Sequence, residues 1–151
     1  MTQKDLEVLN FNANNEYRKE QYEATKEFYR RRDALIAADE QAQKEHTEKV
    51  DANMRRQQEL EAELAEKRRY GIATYSVEWQ VIKQQLDEVC SQNRHLKDEK
   101  STRKANIKAS LRKIHQEYEA ECIQRRIKLT EKKKENTRLY IEAKAQAEVN
   151  A

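Results

Sequence analysis

The sequence of 151 residues contains no proline and a single glycine, and it has few large apolar side chains. Hydrophobic residues make up 36% of the chain and charged residues 39%, which is too little apolar material for a globular core of ordinary proportions. Glycine-rich phosphate-binding loops are excluded because they need several glycines. No apolar stretch approaches the roughly 20 residues that cross a bilayer, and the N-terminal residues lack the hydrophobic region of a signal peptide. We therefore expect a cytoplasmic protein without a membrane partner.

Residues suited to metal binding or catalysis are sparse and scattered. Cys90 and Cys122 are isolated thiols, which fits a reducing compartment better than a disulfide framework. None of the three histidines has another histidine or a cysteine three or four positions away, so the sequence predicts no metal site on a helix face. Carboxylate pairs four residues apart arise in any helix of this composition. We predict a non-enzymatic protein without catalytic, metal-binding or cofactor-binding residues.

The residues that are present favour long helices. Glu, Lys, Arg, Gln and Ala dominate the chain, and all five are good helix formers. The sequence therefore predicts an all-α fold of two long helices joined near Gly71. We assign residues 1–70 to the first helix, 71–75 to a turn or hinge, and 76–151 to the second helix.

Two residues mark the predicted hinge. Gly71 follows a run of three cations at 67–69, which is typical of a helix C-terminus, because glycine adopts the left-handed conformation at low cost and cations favour the negative end of the helix dipole. Ser76 can begin a helix again by accepting a hydrogen bond from a free backbone N–H. The hinge residues are therefore Gly71 and Ser76.

Both segments show steps of three and four residues, as in a coiled coil. In the first segment the seam is predicted to contain Ala13, Tyr17, Gln21, Ala24, Phe28, Arg31, Leu35, Ala38 and Ala42. The pattern blurs after Ala42 and returns at Leu60. In the second segment the seam is predicted to contain Trp79, Ile82, Leu86, Val89, Asn93, Leu96, Lys100, Arg103, Ile107, Leu111, Ile114, Tyr118, Cys122, Arg125, Leu129, Lys132, Asn136, Leu139 and Ala143. The main packing residues are expected to be Phe28, Leu35, Leu60, Leu64, Trp79, Ile82, Leu86 and Val89.

The nearly equal lengths of the two segments favour an antiparallel coiled-coil hairpin. Residues 1–75 carry 14 Lys+Arg against 16 Asp+Glu and residues 76–151 carry 17 against 12, so a net charge of −2 would face one of +5. Phe28 and Leu35 would then lie opposite residues 111–118. The alternative is an extended bent rod, because one glycine inside a continuous helix costs only about 1 kcal/mol. The sequence leaves both arrangements open.

Cations are concentrated in residues 94–134, which carry 14 Lys+Arg against 6 Asp+Glu. The candidate docking residues recur at helical spacing and are Arg94, Lys97, Arg103, Lys104, Lys108, Arg112 and Lys113. Such a face attracts an acidic protein surface such as that of tubulin. A nucleic-acid partner is disfavoured because no recognised nucleic-acid module is present. The alternative interpretation is an ordinary solvated helix face.

A short segment resembles a known family. Residues Gly71-Ile72-Ala73, followed by Trp79, Ile82 and Leu86-Asp87, are similar to the turn and second-helix start of flagellar and type III secretion export stalk proteins. That resemblance implies an antiparallel helical hairpin that binds a hexameric motor or export cargo.

Weak seams and aromatic residues away from them, such as Tyr22 and Tyr29, indicate that another molecule supplies contacts. We therefore expect a structural protein that docks along a larger assembly, as a scaffold component of the cytoskeleton, on a microtubule or in the axoneme of a cilium or flagellum. The alternatives are an export stalk-chaperone and a coiled-coil tether or complex subunit.

Overall fold

A computed structural model describes residues 1–73 and 76–151, and in this part of the chain it consists of two long helices. Helix α1 spans Gln3–Arg69 and helix α2 spans Val77–Val149. The two helices pack against each other antiparallel, which confirms the predicted all-α hairpin and excludes the continuous rod. Two residues of the predicted turn, Thr74 and Tyr75, lie outside the described residues.

The end of α1 is fixed by a glycine in the left-handed conformation. Gly71 has a φ of 75°, and its N–H donates to the carbonyl of Arg68 at 3.1 Å. The N–H of Ile72 donates to the carbonyl of Lys67 at 3.0 Å. These two bonds form a Schellman motif, which satisfies carbonyls that the helix end would otherwise leave free.

The first turns of both helices are capped by hydroxyl side chains. The Ser76 hydroxyl accepts a hydrogen bond of 3.2 Å from the N–H of Trp79 at the start of α2. At the start of α1 the Thr2 hydroxyl accepts from the N–H of Asp5, and the Asp5 carboxylate accepts from the N–H of Thr2 at 2.7 Å. The backbone hydrogen bond from Thr2 lowers the pKa of Asp5, since it stabilises the charged form.

The chain divides into two compact units, and each contains part of both helices. Unit 1 combines residues 1–34 with residues 110–151, and unit 2 combines residues 35–109. Each unit contains contacts between α1 and α2.

The best-packed apolar cluster lies in unit 2, close to the end of α1. Leu60 is completely buried, and around it the cluster consists of Leu64, Trp79, Ile82, Leu86 and Val89. The guanidinium of Arg68 lies 5.3 Å from the centroid of a Trp79 ring, and Lys67 forms an ion pair with Glu78 at 3.4 Å. Six of the expected packing residues, two from α1 and four from α2, therefore meet in one cluster.

In unit 1 the interface is more polar. Phe28 stacks on Tyr118 with ring centroids 4.5 Å apart, as expected for a hairpin in which Phe28 lies opposite residues 111–118. Ala13 and Ile114 are buried, and Asn136, which is only 2% exposed, donates to the side chain of Asn10 at 3.2 Å. Polar pairs thus replace leucine over much of this interface.

At four positions the predicted seam is wrong by one residue. The chain exposes Arg31, Ala38, Lys132 and Leu139. In their place it half-buries Arg32, Asp39, Lys133 and Tyr140. At each of these positions the seam takes a step of four residues and then one of three, where the prediction had three and then four. Neighbouring residues on a helix differ by about 100° in direction, so either of the two can lie near the interface. Where the pattern blurred, α1 half-buries His46, Val50, Asn53 and Gln57.

Candidate partner-docking surface

One predicted docking residue, Arg103, is used inside the hairpin. Its side chain is 23% exposed, and its Nε lies 3.2 Å from Oδ1 of Asp39 on α1. Its Nη2 also donates to Oε1 of Gln43. Because α1 holds this guanidinium with two polar groups, Arg103 does not lie on the exposed basic surface where we had expected it.

A second polar cluster crosses the interface of unit 1. Arg125 donates through Nε to Oε1 of Gln21 at 2.8 Å, and Gln21 donates to the hydroxyl of Tyr118 at 3.1 Å. The Cys122 thiol accepts from Gln21 and Arg125 at 3.3 and 3.4 Å. Burial raises the pKa of Cys122, but hydrogen bonds from Gln21, Tyr118 and Arg125 outweigh it, so the pKa lies below its ordinary value.

The remaining predicted docking residues of unit 2 are exposed and share one side of α2. They are Arg94, Lys97, Lys104 and Lys108. Each directly follows a residue that is at least half-buried against α1, namely 93, 96, 103 and 107. One residue further along a helix is a rotation of about 100°, so the four cations form a single stripe beside the interface. We call these four residues the basic stripe.

The four cations of the basic stripe form no ion pairs in the described part of the chain. Among residues 1–73 and 76–151 no carboxylate forms an ion pair with any of its four cations. Elsewhere on α2 cations do find partners, as Lys83 does with Asp87 at 3.3 Å. An unpaired row of cations at helical spacing presents a positive potential to any acidic surface that approaches it.

The last two predicted docking residues belong to unit 1. Arg112 and Lys113 are both exposed, and neither forms an ion pair with a described residue. Arg112 follows Leu111, which is half-buried, whereas Lys113 precedes the buried Ile114. Since one residue turns the helix by about 100°, these two cations do not share one side of α2.

Sequence reasoning did not find Asp39 and Gln43, the residues that hold Arg103. The available signal was an arginine on the predicted seam, because a cation at an interhelical position needs a polar partner from the facing helix. In a hairpin, Asp39 and Gln43 of α1 lie at the level of Arg103 and offer such partners. The seam was extended through Ala38 because alanine is apolar, although Asp39 fits the helical spacing equally well.

The described residues contain neither a metal-ligand cluster nor a membrane-spanning stretch. No three His, Cys, Asp or Glu side chains among residues 1–73 and 76–151 are grouped so that they could hold a metal ion. In that same part of the chain neither helix has a segment long and apolar enough to cross a bilayer. Comparisons with protein-family models, with curated proteins and with solved structures find no match to this chain.

Proposed function

We propose that this chain is a non-enzymatic structural protein that docks along a larger assembly through the basic stripe of α2. The observation that carries the proposal is the set of four exposed cations, Arg94, Lys97, Lys104 and Lys108, on one side of α2 and without ion pairs among the described residues. We further propose that the assembly is cytoskeletal, a microtubule or the axoneme of a cilium or flagellum, and that the protein is cytoplasmic. Microtubules suit the stripe because their surface is acidic.

The shape of the stripe supports a polymer or an extended surface as the partner. The four cations are distributed over residues 94–108, which corresponds to about 20 Å of helix at 1.5 Å per residue. Such a row contacts an extended acidic surface at several points at once, whereas a single acidic pocket would satisfy only one or two of the cations. Binding of this type weakens as salt is added, because the charges are exposed to solvent.

The test is co-sedimentation of the full chain with stabilised microtubules at low and high salt. We expect binding at low salt that weakens by about tenfold or more when Lys97→Glu, Lys104→Glu and Lys108→Glu are combined, because each reversal turns an attraction into a repulsion. Microtubule binding that this triple variant leaves unchanged would contradict the proposal.

A matched control separates the basic stripe from net charge. Lys4, Lys19 and Lys49 are also exposed and form no ion pairs with described residues, but they lie on α1. Reversing these three charges changes the net charge by the same amount, and we expect it to weaken binding by less than about threefold because only the long-range attraction is lost. Equal losses from the two triple variants would show that binding depends on overall charge alone.

A second candidate function is that of an export stalk of the flagellar or type III secretion type. The observation that favours it is the hairpin itself, with Gly71 at the turn in the left-handed conformation and Trp79 and Ile82 packed just beyond it. This candidate requires a bacterial gene and binding to a hexameric motor, and a gene with introns would exclude it. Copurification of one or two defined partners without a polymer would instead indicate a tether or complex subunit.

A further inference from the structure

The two sides of unit 1 differ strongly in character. On one side, ion pairs cross between the helices: Glu20 pairs with Lys128 at 3.1 Å and Arg31 pairs with Glu117 at 3.5 Å. Glu20, Lys128 and Glu117 each directly precede a half-buried interface residue, which shows that residues preceding the seam of α1 and of α2 lie on the same side. In an antiparallel pair of right-handed helices, residues that follow the seam then share the opposite side.

That opposite side carries exposed apolar residues from both helices. From α1 it takes Phe11, Tyr22 and Tyr29, which follow half-buried residues 10, 21 and 28 and are 62%, 67% and 47% exposed. From α2 it takes Ile123 and Ile141, which follow half-buried residues 122 and 140 and are 55% and 59% exposed. We call this side of unit 1 the aromatic–isoleucine face. Exposed apolar residues that gather on one side of a protein of this polarity indicate an interaction site.

The α2 part of this face has the spacing of a second heptad seam. Ala120, Ile123, Ile127, Thr130, Lys134, Thr137 and Ile141 recur with alternating steps of three and four residues, and all are exposed. Five members of this row directly follow a residue of the seam that faces α1, which is a rotation of about 100°, whereas Ala120 and Ile127 lie one residue further from that seam. A helix with two such seams can pack against two neighbours at once, and α1 occupies only one of them.

The two threonines of this second seam already have hydrogen-bond partners for their hydroxyls. The hydroxyls of Thr130 and Thr137 each bond to the carbonyl four residues earlier, at 3.0 Å in both cases. Their hydrogen-bonding capacity is therefore largely satisfied within α2, and covering them leaves no unpaired donor. Lys134 is the single cation in the seam, and among the described residues no carboxylate forms an ion pair with it.

The charges on this face select the chemistry of its partner. Arg18 from α1 and Arg126 and Lys134 from α2 follow the seam, are exposed and have no ion pair among the described residues. The one acidic residue that follows the seam between 112 and 141 on α2 is Glu119, which already contacts His115 at 2.9 Å. On α1 no acidic residue follows the seam between Phe11 and Tyr29, although Glu7 and Asp33 do so just outside that stretch. The face is thus apolar and cationic, and its complement is apolar and acidic.

We propose that the aromatic–isoleucine face of unit 1 docks an amphipathic helix of another protein whose apolar stripe is flanked by Asp and Glu, forming a three-helix bundle with α1 and α2. The 3-4 spacing of the second seam matches another helix, and Lys134 and Arg126 match acidic flanks. A second copy of the chain fits poorly, since a two-fold contact would place this cationic face against an identical cationic face. The opposite side of unit 1 is mostly charged, and its exposed apolar residues include only Val8 and Leu139 among those that directly precede the seam.

This docking site adds a second partner surface to the proposed function of the hairpin. The evidence for it comes from residues other than those of the basic stripe. The basic stripe lies in unit 2 and is tested with microtubules, whereas this face lies in unit 1 and is tested with a peptide. Either one can fail while the other holds.

The test titrates the full chain into a fluorescently labelled synthetic peptide of about four heptads with Leu at the two seam positions and Glu at all flanking positions. Glutamates keep this peptide from pairing with itself at neutral pH. We expect an increase in anisotropy and in peptide helicity on binding, and no binding of the same peptide with Lys at the flanks. Replacing Ile123, Ile127 and Ile141 together by Gln should weaken binding by about tenfold or more, since each isoleucine loses buried apolar area.

The matched control uses exposed apolar residues on other parts of unit 1. Val8 and Leu139 are 51% and 38% exposed and do not follow the seam, so Val8→Gln and Leu139→Gln should leave peptide binding unchanged. Circular dichroism of each variant verifies that the chain is still helical.

Three results would overturn the proposal. The first is absence of peptide binding at millimolar concentration, or binding that the isoleucine variant retains in full. The second is self-association of the chain that the isoleucine variant abolishes, which would assign the face to a second copy. The third is binding to phosphatidylserine vesicles that depends on the same isoleucines while the peptide does not bind, which would assign the face to a lipid surface.

Discussion

Leu60 provides the sharpest test of how the hairpin is held together. Its side chain is completely buried in the cluster formed with Leu64, Trp79 and Ile82, and these contacts exist only if α1 and α2 fold back on each other. Leu60→Ala removes buried methylene and methyl groups worth about 0.8 kcal/mol each, or about 2.5 kcal/mol together, and the remaining cavity raises the cost to about 3–4 kcal/mol. A loss of this size is a large part of the 5–15 kcal/mol typical of folded domains.

Leu139→Ala is the matched substitution, because it removes the same atoms from a leucine that is 38% exposed. We expect it to cost about 0.5 kcal/mol or less, since surface substitutions rarely exceed that value. The assay is urea unfolding followed by the fluorescence of Trp79, the single tryptophan of the chain and a member of the Leu60 cluster. Equal costs for the two substitutions would refute the packing described for unit 2.

Three further predictions address the turn and the polar interior. Gly71→Ala should lower the free energy of unfolding by about 1–2 kcal/mol in urea denaturation, because a Cβ is strained at a φ of 75° although no neighbouring atom obstructs it. An unchanged stability would contradict the left-handed turn. Cys122 should be alkylated by iodoacetamide at a lower pH than an ordinary cysteine, since its hydrogen-bonding neighbours lower its pKa. Arg125→Gln should shift the pH dependence of the alkylation rate to higher pH, and an unchanged pH dependence would contradict the role of Arg125 in lowering the pKa. Replacing Gln57 and Asn93 together by Leu should leave the free energy of unfolding unchanged or raise it by about 1–3 kcal/mol in urea denaturation, because Oδ1 of Asn93 is buried without a hydrogen bond. A large loss of stability would show instead that this pair stabilises the interface.

The parts of the fold that the sequence could predict are those that depend on local chemistry. The Gly71 turn follows from the one residue that takes a left-handed conformation cheaply, and the Ser76 cap follows from its hydroxyl at the start of a helical stretch. The apolar cluster from Leu60 to Val89 was predictable because large side chains recur there with steps of three and four residues. The choice between hairpin and rod was not, because one glycine is compatible with both.

The polar interface was harder to predict, because it depends on pairs of residues distant in sequence. The sequence places Arg103 both on the seam and among the docking cations, and only the structure shows that Asp39 and Gln43 hold it in the interface. The aromatic–isoleucine face was not predicted as a unit either. The sequence indicates that Tyr22 and Tyr29 lie away from the seam, but that they share a side of unit 1 with Ile123 follows only from the antiparallel packing of α1 and α2.

The central claim of the proposed function is that the basic stripe is an interface in the assembled state. Lysine footprinting tests it most directly: the full chain is acetylated with and without microtubules, and the modification of each lysine is measured by mass spectrometry. The account predicts that Lys97, Lys104 and Lys108 become protected on microtubules, while Lys49, an exposed lysine of α1 in the same unit, stays reactive. Protection of Lys49 with continued reactivity of Lys97, Lys104 and Lys108 would contradict it.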